Sequence, residues 1–292
     1  MINKMFRPSL ALACGLLFAA GLSAQTPAAP KIDFPAPSPA ASVKQRVGLT
    51  DVQIDYSRPG KKGRVIFGGL VPYGEVWRTG ANTATKITFS TAVKLNGTDI
   101  AAGEYALYTI PGQNEWTIIV NKVTGQWGAY SYDAKNDVAR IPAKPMAAAQ
   151  PVETFTIGLT DLRPESATLC LAWDTTVVPV TLTVDVKSIL VPQIEAVMAS
   201  GGDKLPYFPA AMYYYENNLD LKKAAAWMDA AIAANPKAYY MIYRKGLILA
   251  KAGDKAGALA AAKQSIEVAN QENGPAKNEY LRLNQALIDQ LK

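Results

Sequence analysis

The chain has 292 residues, the length of about two domains of ordinary size. It is 49% apolar and 18% charged, with 30 basic and 24 acidic residues and no histidine. The missing histidine excludes Ser-His-Asp and Cys-His nucleophile sites, histidine-ligated zinc and an imidazole base near neutral pH. Two cysteines, Cys14 and Cys170, are too few for a four-cysteine metal site or an iron–sulfur cluster. No cofactor and no metal site are expected.

Residues 1–24 read as a secretory signal. Lys4 and Arg7 precede an apolar run from Leu10 to Leu22, and Ser23-Ala24 supplies a small-residue exit. The run is shorter than the roughly 20 residues a membrane helix needs. Cleavage after Ala24 predicts a periplasmic or extracellular protein. Loss of Lys4 and Arg7 leaves 28 basic against 24 acidic residues, a balance of +4. So mild a charge on an exported chain argues against a nucleic-acid partner. Nowhere else is the chain apolar enough for a transmembrane segment.

Residues 25–41 hold five prolines in 17 positions and read as an extended Pro/Ala-rich tether. Residues 42–187 then alternate with the period of strands. Ile87, Phe89, Val93 and Leu95 face one way, and Thr88, Ser90 and Lys94 the other. Asn96-Gly97 and Pro111–Glu115 are hairpin signals. Further alternating sets run Phe155-Ile157-Leu159, Leu169-Leu171-Trp173 and Val178 to Val186. About eight strands without an intervening helix predict an antiparallel β-sandwich. Cys170 is expected there as a small buried residue.

Residues 188–292 change to a helical period. Asp220 and Asp254 are N-cap signals, Asn235-Pro236 and Gly253 are stops, and Gly274-Pro275 precedes a final helix over 276–291. A 34-residue repeat relates Tyr215 to Leu249, Ala224 to Ala258, Met228 to Ala262 and Ala231 to Ser265, and sets Met212 on Gly246. This resembles the tetratricopeptide repeat, with two copies over 205–238 and 239–272 and a capping helix. Its large aromatic position is Phe208 in one copy and Ile242 in the other. Such a pair offers a groove to a protein or peptide, with Tyr213, Tyr214, Tyr239, Tyr240 and Tyr243 as lining candidates.

The segment 56–132 concentrates chemistry. It carries 11 of the chain's 26 aromatic residues, and six glycines lie between positions 60 and 80. Within residues 56–85, Arg58, Lys61, Lys62, Arg64 and Arg78 stand against one acid, Glu75. Three of its stretches are distinctive: Tyr56-Ser-Arg-Pro with Gly63-Arg-Val-Ile-Phe-Gly68, Val71-Pro-Tyr-Gly-Glu-Val-Trp-Arg-Thr-Gly-Ala-Asn82, and Ala102-Gly-Glu-Tyr-Ala-Leu-Tyr-Thr-Ile-Pro-Gly112. They resemble the secreted bacterial proteins of domain-of-unknown-function family 2911 over roughly residues 44–187. The resemblance implies an exported β-domain, often followed by helical repeats, and implies no activity or catalytic residue.

Physical reasoning supplies the site candidates. Arg58, Arg64 and Arg78 suit an oxyanion, since guanidinium binds carboxylate and phosphate bidentately. Trp77, Tyr105, Tyr108, Trp127 and Tyr130 suit an aromatic floor for a sugar or peptide, with Asn82 setting orientation. The competing reading has the arginines pin the loop through carbonyls and Glu75 while the aromatics fill the core. Asp133, Asn136 and Asp137 lack the order and glycine of a calcium loop and read as a solvated turn. The leading functional expectation is an exported, non-catalytic binding protein for an anionic or carbohydrate small molecule and a protein partner. The alternative is a histidine-independent hydrolase with Glu75 or Asp133 as acid/base.

Overall fold

The structure, a computed structural model, describes residues 33–292 except Asp203 and Asn273. The signal over 1–24 and the first part of the tether lie outside the described residues. Among the described residues, ten strands are followed by six α-helices, so a β-sandwich precedes an α-helical domain. No described helix is long and apolar enough to cross a membrane.

One sheet has the order β1 (Ala40–Val47), β2 (Thr50–Ser57), β3 (Thr85–Phe89), β6 (Gly103–Ile110), β7 (Trp116–Asn121), β8 (Asp137–Ala143). The other runs β5 (Thr98–Ile100), β4 (Val93–Leu95), β10 (Ser166–Val184), β9 (Met146–Arg163). All pairings between these strands are antiparallel. Strand β1 takes in Ala40 and Ala41, which the tether reading had claimed. The run from Ile87 to Leu95 is two strands in different sheets. Phe89 and Val93 both face the core, but from opposite sides, so the alternation continues through the crossover.

Strand β10 explains the two separate apolar sets read after residue 166. Ala167, Leu169, Leu171 and Trp173 are buried at odd positions, and Val178, Val180, Leu182 and Val184 at even ones. The parity flips across a bulge at Asp174, whose φ is +52°. The surplus residues there lie on β9, since Ala172, Asp174 and Thr176 face Thr156, Val152 and Ala147, and the irregular backbone at Asp174 changes which parity of β10 faces the core. Cys170 lies on the opposite face, half-buried, with Sγ 3.4 Å from the Thr160 hydroxyl. The opposite face is the one its place between Leu169 and Leu171 implied, but Cys170 is half-buried where the sequence suggested a buried residue.

The core between the sheets is rich in rings. Trp77, Trp116, Trp173, Phe67 and Phe155 pack with centroids 4.8–6.4 Å apart, mostly edge to face.

Strand β10 passes through one residue, Asp185, into helix α1 (Val186–Ala199). Asp185 caps it by accepting from the Ser188 amide. Val186, counted with the last strand in the sequence reading, is thus the first helical residue. Four helices follow as two hairpins, α2 (Tyr207–Glu216) with α3 (Leu221–Ala234) and α4 (Tyr239–Lys251) with α5 (Lys255–Gln271). Helix α6 (Lys277–Gln290) closes the array. Asp220 and Asp254 cap α3 and α5 as their positions suggested. Ala224, Met228, Ala258 and Ala262, the pairs separated by 34 residues, are all buried. Gly246 lets α4 meet α5 and α6 closely, since a Cβ there would lie 3.1 Å from Leu287 and 3.7 Å from Ala261. Leu190 and Tyr213 pack against the sandwich core, which joins the two parts.

Candidate functional site

The segment from Arg58 to Ala84 is a built loop. Ile66, Val71, Trp77, Ala81 and Ala84 are buried, and the Phe67 ring joins the aromatic core. The loop thus plugs one end of the sandwich with apolar side chains. Residues 56–61 also lie along β9. The Tyr56 hydroxyl donates to the Ile157 carbonyl at 3.1 Å and accepts from its amide at 2.9 Å. Pro59 accepts from the Phe155 amide, and Lys61 donates to the Glu153 carbonyl. An exposed strand edge invites unwanted pairing, and this segment covers part of the β9 edge.

That placement spends two of the three candidate arginines. Arg58 donates from Nε to the Phe155 carbonyl at 3.1 Å and from Nη2 to the Thr156 hydroxyl at 2.7 Å. Arg64 donates to the carbonyls of Lys61 and Gly60 at 3.0 and 2.6 Å. Both act as pins of the chain. Glu75 is exposed and forms no ion pair with them among the described residues. Lys61 instead meets Asp174 at the β10 bulge, 2.5 Å away.

The aromatic candidates separate. Trp77 is 8% exposed and donates from its indole to the Gly80 carbonyl at 3.1 Å. Tyr105 faces the core and donates to the Ala101 carbonyl. Tyr108, three residues on, faces the opposite side of the sheet and donates to Gln126 Oε1 at 2.9 Å. Burial pushes the Tyr108 phenol up. Trp127 and Tyr130 stay in solvent at 66% and 86% exposure. A single floor built from all five is therefore excluded by strand parity.

What the fold does bring together is the outer face of the six-stranded sheet. Asn82 donates to the Ser57 hydroxyl at 3.2 Å and to the Ser38 carbonyl at 3.4 Å, joining the first distinctive stretch to the second. Beside this contact opens a cleft of about 630 Å³ lined by Ser42, Asp55, Ser57, Thr83, Ala84, Lys86 and neighbours. Lys86 Nζ lies 2.9 Å from Glu104 and 3.8 Å from Asp55. Partial burial pushes the Asp55 carboxyl up, but hydrogen bonds from Ser42 and Gln53 and the Lys86 and Lys44 charges outweigh it. The carboxyl is held below its usual range. The hydrogen bond to Glu104 raises Lys86. Gly125 forms part of the rim, and Trp127 makes a backbone bridge to Thr83 in the cleft wall.

The sequence reading missed Ser42, Ser57, Asp55 and Lys86. Their signal was parity: Asp55 and Ser57 alternate with buried Ile54 and Tyr56, and Lys86 precedes buried Ile87. Asp133 caps a short 3-10 turn, and Asp137 is taken up by Asn121, Tyr132 and Arg140. Burial and the hydrogen bond to Asp137 push the Tyr132 phenol up to about 12. Among the described residues no group of three or more Cys, Asp or Glu is placed to hold a metal ion.

The turn 78–82 carries strain. Thr79, buried and β-branched, has φ +55°, Asn82 has φ +60°, and Gly80 has φ +150°. A Cβ at Gly80 would lie 2.9 Å from the Ser57 carbonyl. Gly80→Ala is expected to destabilise the β-domain by about 1–3 kcal/mol, read by urea denaturation. A change below about 0.5 kcal/mol would mean that the turn relaxes freely.

Residues 38–182 match the model of a family described as Protein of unknown function (DUF2911). The match covers the β-sandwich and supports the resemblance read from its motifs. No curated protein and no solved structure gives a significant match to the chain.

Proposed function

We propose that this chain, whose sandwich carries the DUF2911 module, is an exported, non-catalytic binding protein. The outer-face cleft holds a polyhydroxylated small molecule of sugar type. The helical hairpins, read as two tetratricopeptide-like repeats, dock a protein or peptide partner. Residues 1–24 act as a cleaved export signal and deliver the chain to the periplasm or beyond.

The carrying observation is the exposed indole of Trp127, bridged through its backbone to Thr83 in the wall of the cleft. An indole left in water, one backbone bridge from a cleft that combines apolar surface with Ser42, Asp55, Ser57 and Lys86, suits a ligand with an apolar ring face and a polar edge. Catalysis is the weaker reading. A general acid needs a raised carboxyl, whereas Asp55 is lowered and shares Lys86 with Glu104. Of the two carboxylates first considered, Asp133 is used as a cap and Glu75 does not line the cleft.

The test is calorimetric titration with neutral and acidic oligosaccharides, alongside tryptophan fluorescence. Trp127→Ala is expected to weaken binding about tenfold, the size of one aromatic stacking contact. If no oligosaccharide binds, the cleft reading is wrong.

A further inference from the structure

The loop that plugs the sandwich has an inner and an outer side. Ile66, Val71 and Trp77 are buried and Phe67 joins the ring core, which fixes the loop from within. Its tip also closes on itself. The Leu70 and Val71 amides donate to the carbonyls of Val65 and Ile66, and the Gly68 amide donates to the Val71 carbonyl. Among these anchors three large apolar side chains stay in water, Val65 at 71%, Leu70 at 46% and Tyr73 at 41% exposure. They belong to one surface. A Cβ at Gly69 would lie 3.1 Å from the Val65 side chain, and one at Gly68 would lie 2.7 Å from the Tyr73 ring. Both side chains therefore lie against the Gly68-Gly69 backbone, and Leu70 follows directly. A single exposed apolar residue is ordinary, but a contiguous group held in place by buried neighbours marks a contact.

The path of the chain and the nearby charges say what the contact is. Strand β1 begins at Ala40, which pairs with Ser57, and the Arg58 amide donates to the Pro39 carbonyl. The N-terminal segment thus enters the sandwich at the root of this loop. That segment carries the apolar run Leu10–Leu22 and then the Pro-rich tether, in which Phe34 is exposed. At the opposite end of β1, Gly48 meets Val186 of α1. The eight residues of β1 put ~26 Å between the two ends. Lys62 and Arg64 precede the patch, are exposed, and form no ion pair among the described residues. Glu75 is exposed beyond it, and Glu153 accepts from the Lys62 amide. Arg78 takes no part in this surface charge through its Nε, which is buried without a hydrogen-bond partner among the described residues.

We propose that the patch of Val65, Leu70 and Tyr73 seats on a lipid bilayer, the one that the apolar run 10–22 engages during export, and keeps the β-domain at that surface after the run is removed. Val65 and Leu70 enter the boundary between headgroups and acyl chains, and Tyr73 lies there with its hydroxyl toward water. Lys62 and Arg64 meet headgroup phosphates. Glu75 and Glu153 offset part of that attraction, so apolar burial carries most of the affinity. This inference rests on the export reading of residues 1–24 and is independent of the cleft.

The experiment floats the exported, processed chain with vesicles of phosphatidylcholine, and with vesicles of phosphatidylethanolamine and phosphatidylglycerol. Wild type is compared with the triple variant Val65→Ser, Leu70→Ser, Tyr73→Ser, with Lys62→Gln and with Leu70→Trp, and mass spectrometry checks that all share one N-terminus. Wild type is expected to bind both vesicles, the anionic ones more tightly. The triple variant should lose at least about tenfold on both, since one buried leucine alone is worth about that. Lys62→Gln should narrow the preference for anionic vesicles. Leu70→Trp should bind more tightly than wild type, a gain that damage to the fold cannot imitate. Exported wild type that floats with neither vesicle overturns the inference and leaves the export reading standing. A triple variant that binds as wild type does, or a Leu70→Trp without gain, overturns it as well. Wild type that ignores vesicles but self-associates, with the triple variant monomeric, gives the patch to a second copy of the chain and overturns it too. A chain that keeps residues 1–24 inside the cell overturns the export reading and this inference with it.

Discussion

Trp77→Ala is expected to destabilise the β-domain by about 3–5 kcal/mol, the cost of truncating a buried tryptophan. The ring packs against Phe67, Trp116, Phe155 and Trp173, all within 6.4 Å between centroids. Alanine would leave a void that the four remaining rings cannot refill without moving the loop they anchor. It would also remove the donor to the Gly80 carbonyl, so the turn at 78–82 loses one of its restraints. The melting point should fall by on the order of 10 °C. Urea denaturation followed by far-ultraviolet circular dichroism measures the loss. A cost under about 1 kcal/mol would show that the indole is not part of the core.

Tyr56→Phe should cost nearly as much, through a single oxygen atom. The Tyr56 hydroxyl satisfies both the amide and the carbonyl of Ile157, and it does so across the sandwich from β2 to β9. Phenylalanine preserves the packing and strands two backbone groups, each worth about 1–3 kcal/mol when left buried without a partner. The expected loss is about 3 kcal/mol in equilibrium denaturation. Faster hydrogen exchange at the Ile157 amide would identify the cause. Unchanged exchange there would contradict the assignment.

The β-sandwich was legible in its apolar parity, and the helices in their caps. Ile87, Phe89, Phe155 and Leu169 announce inward faces whatever sheet they belong to, and Asp220 and Asp254 mark helix starts by local chemistry alone. Sheet membership was not legible, because Phe89 and Val93 continue one alternation across a crossover. The irregularity at Asp174 hid the unity of β10 for a related reason, since parity read along the chain breaks where the backbone leaves the regular strand conformation. Strand β1 was hidden by its polar composition, its side chains being mostly exposed or half-buried.

For the site, residue type alone misled. Arginine, tryptophan and tyrosine were candidates by chemistry, yet Arg58 and Arg64 are consumed by carbonyls that only the folded chain brings near. Tyr105 and Tyr108 sit on opposite faces because they are an odd number of residues apart in a strand. The cleft residues Asp55 and Lys86 were legible in principle as the outward partners of buried Ile54 and Ile87. Their meeting with Glu104 required the β2–β3–β6 register.

The single residue between β10 and α1 has a mechanical consequence. With Val186 against the Gly48 turn, and Leu190 and Tyr213 packed on the sandwich core, the junction is short and partly buried. A flexible leash would let the two halves explore a volume, and their mutual concentration would depend on its length. Here one connecting residue leaves almost no leash, so a molecule on the outer sheet face and a partner on the helices would stay within a short reach of each other.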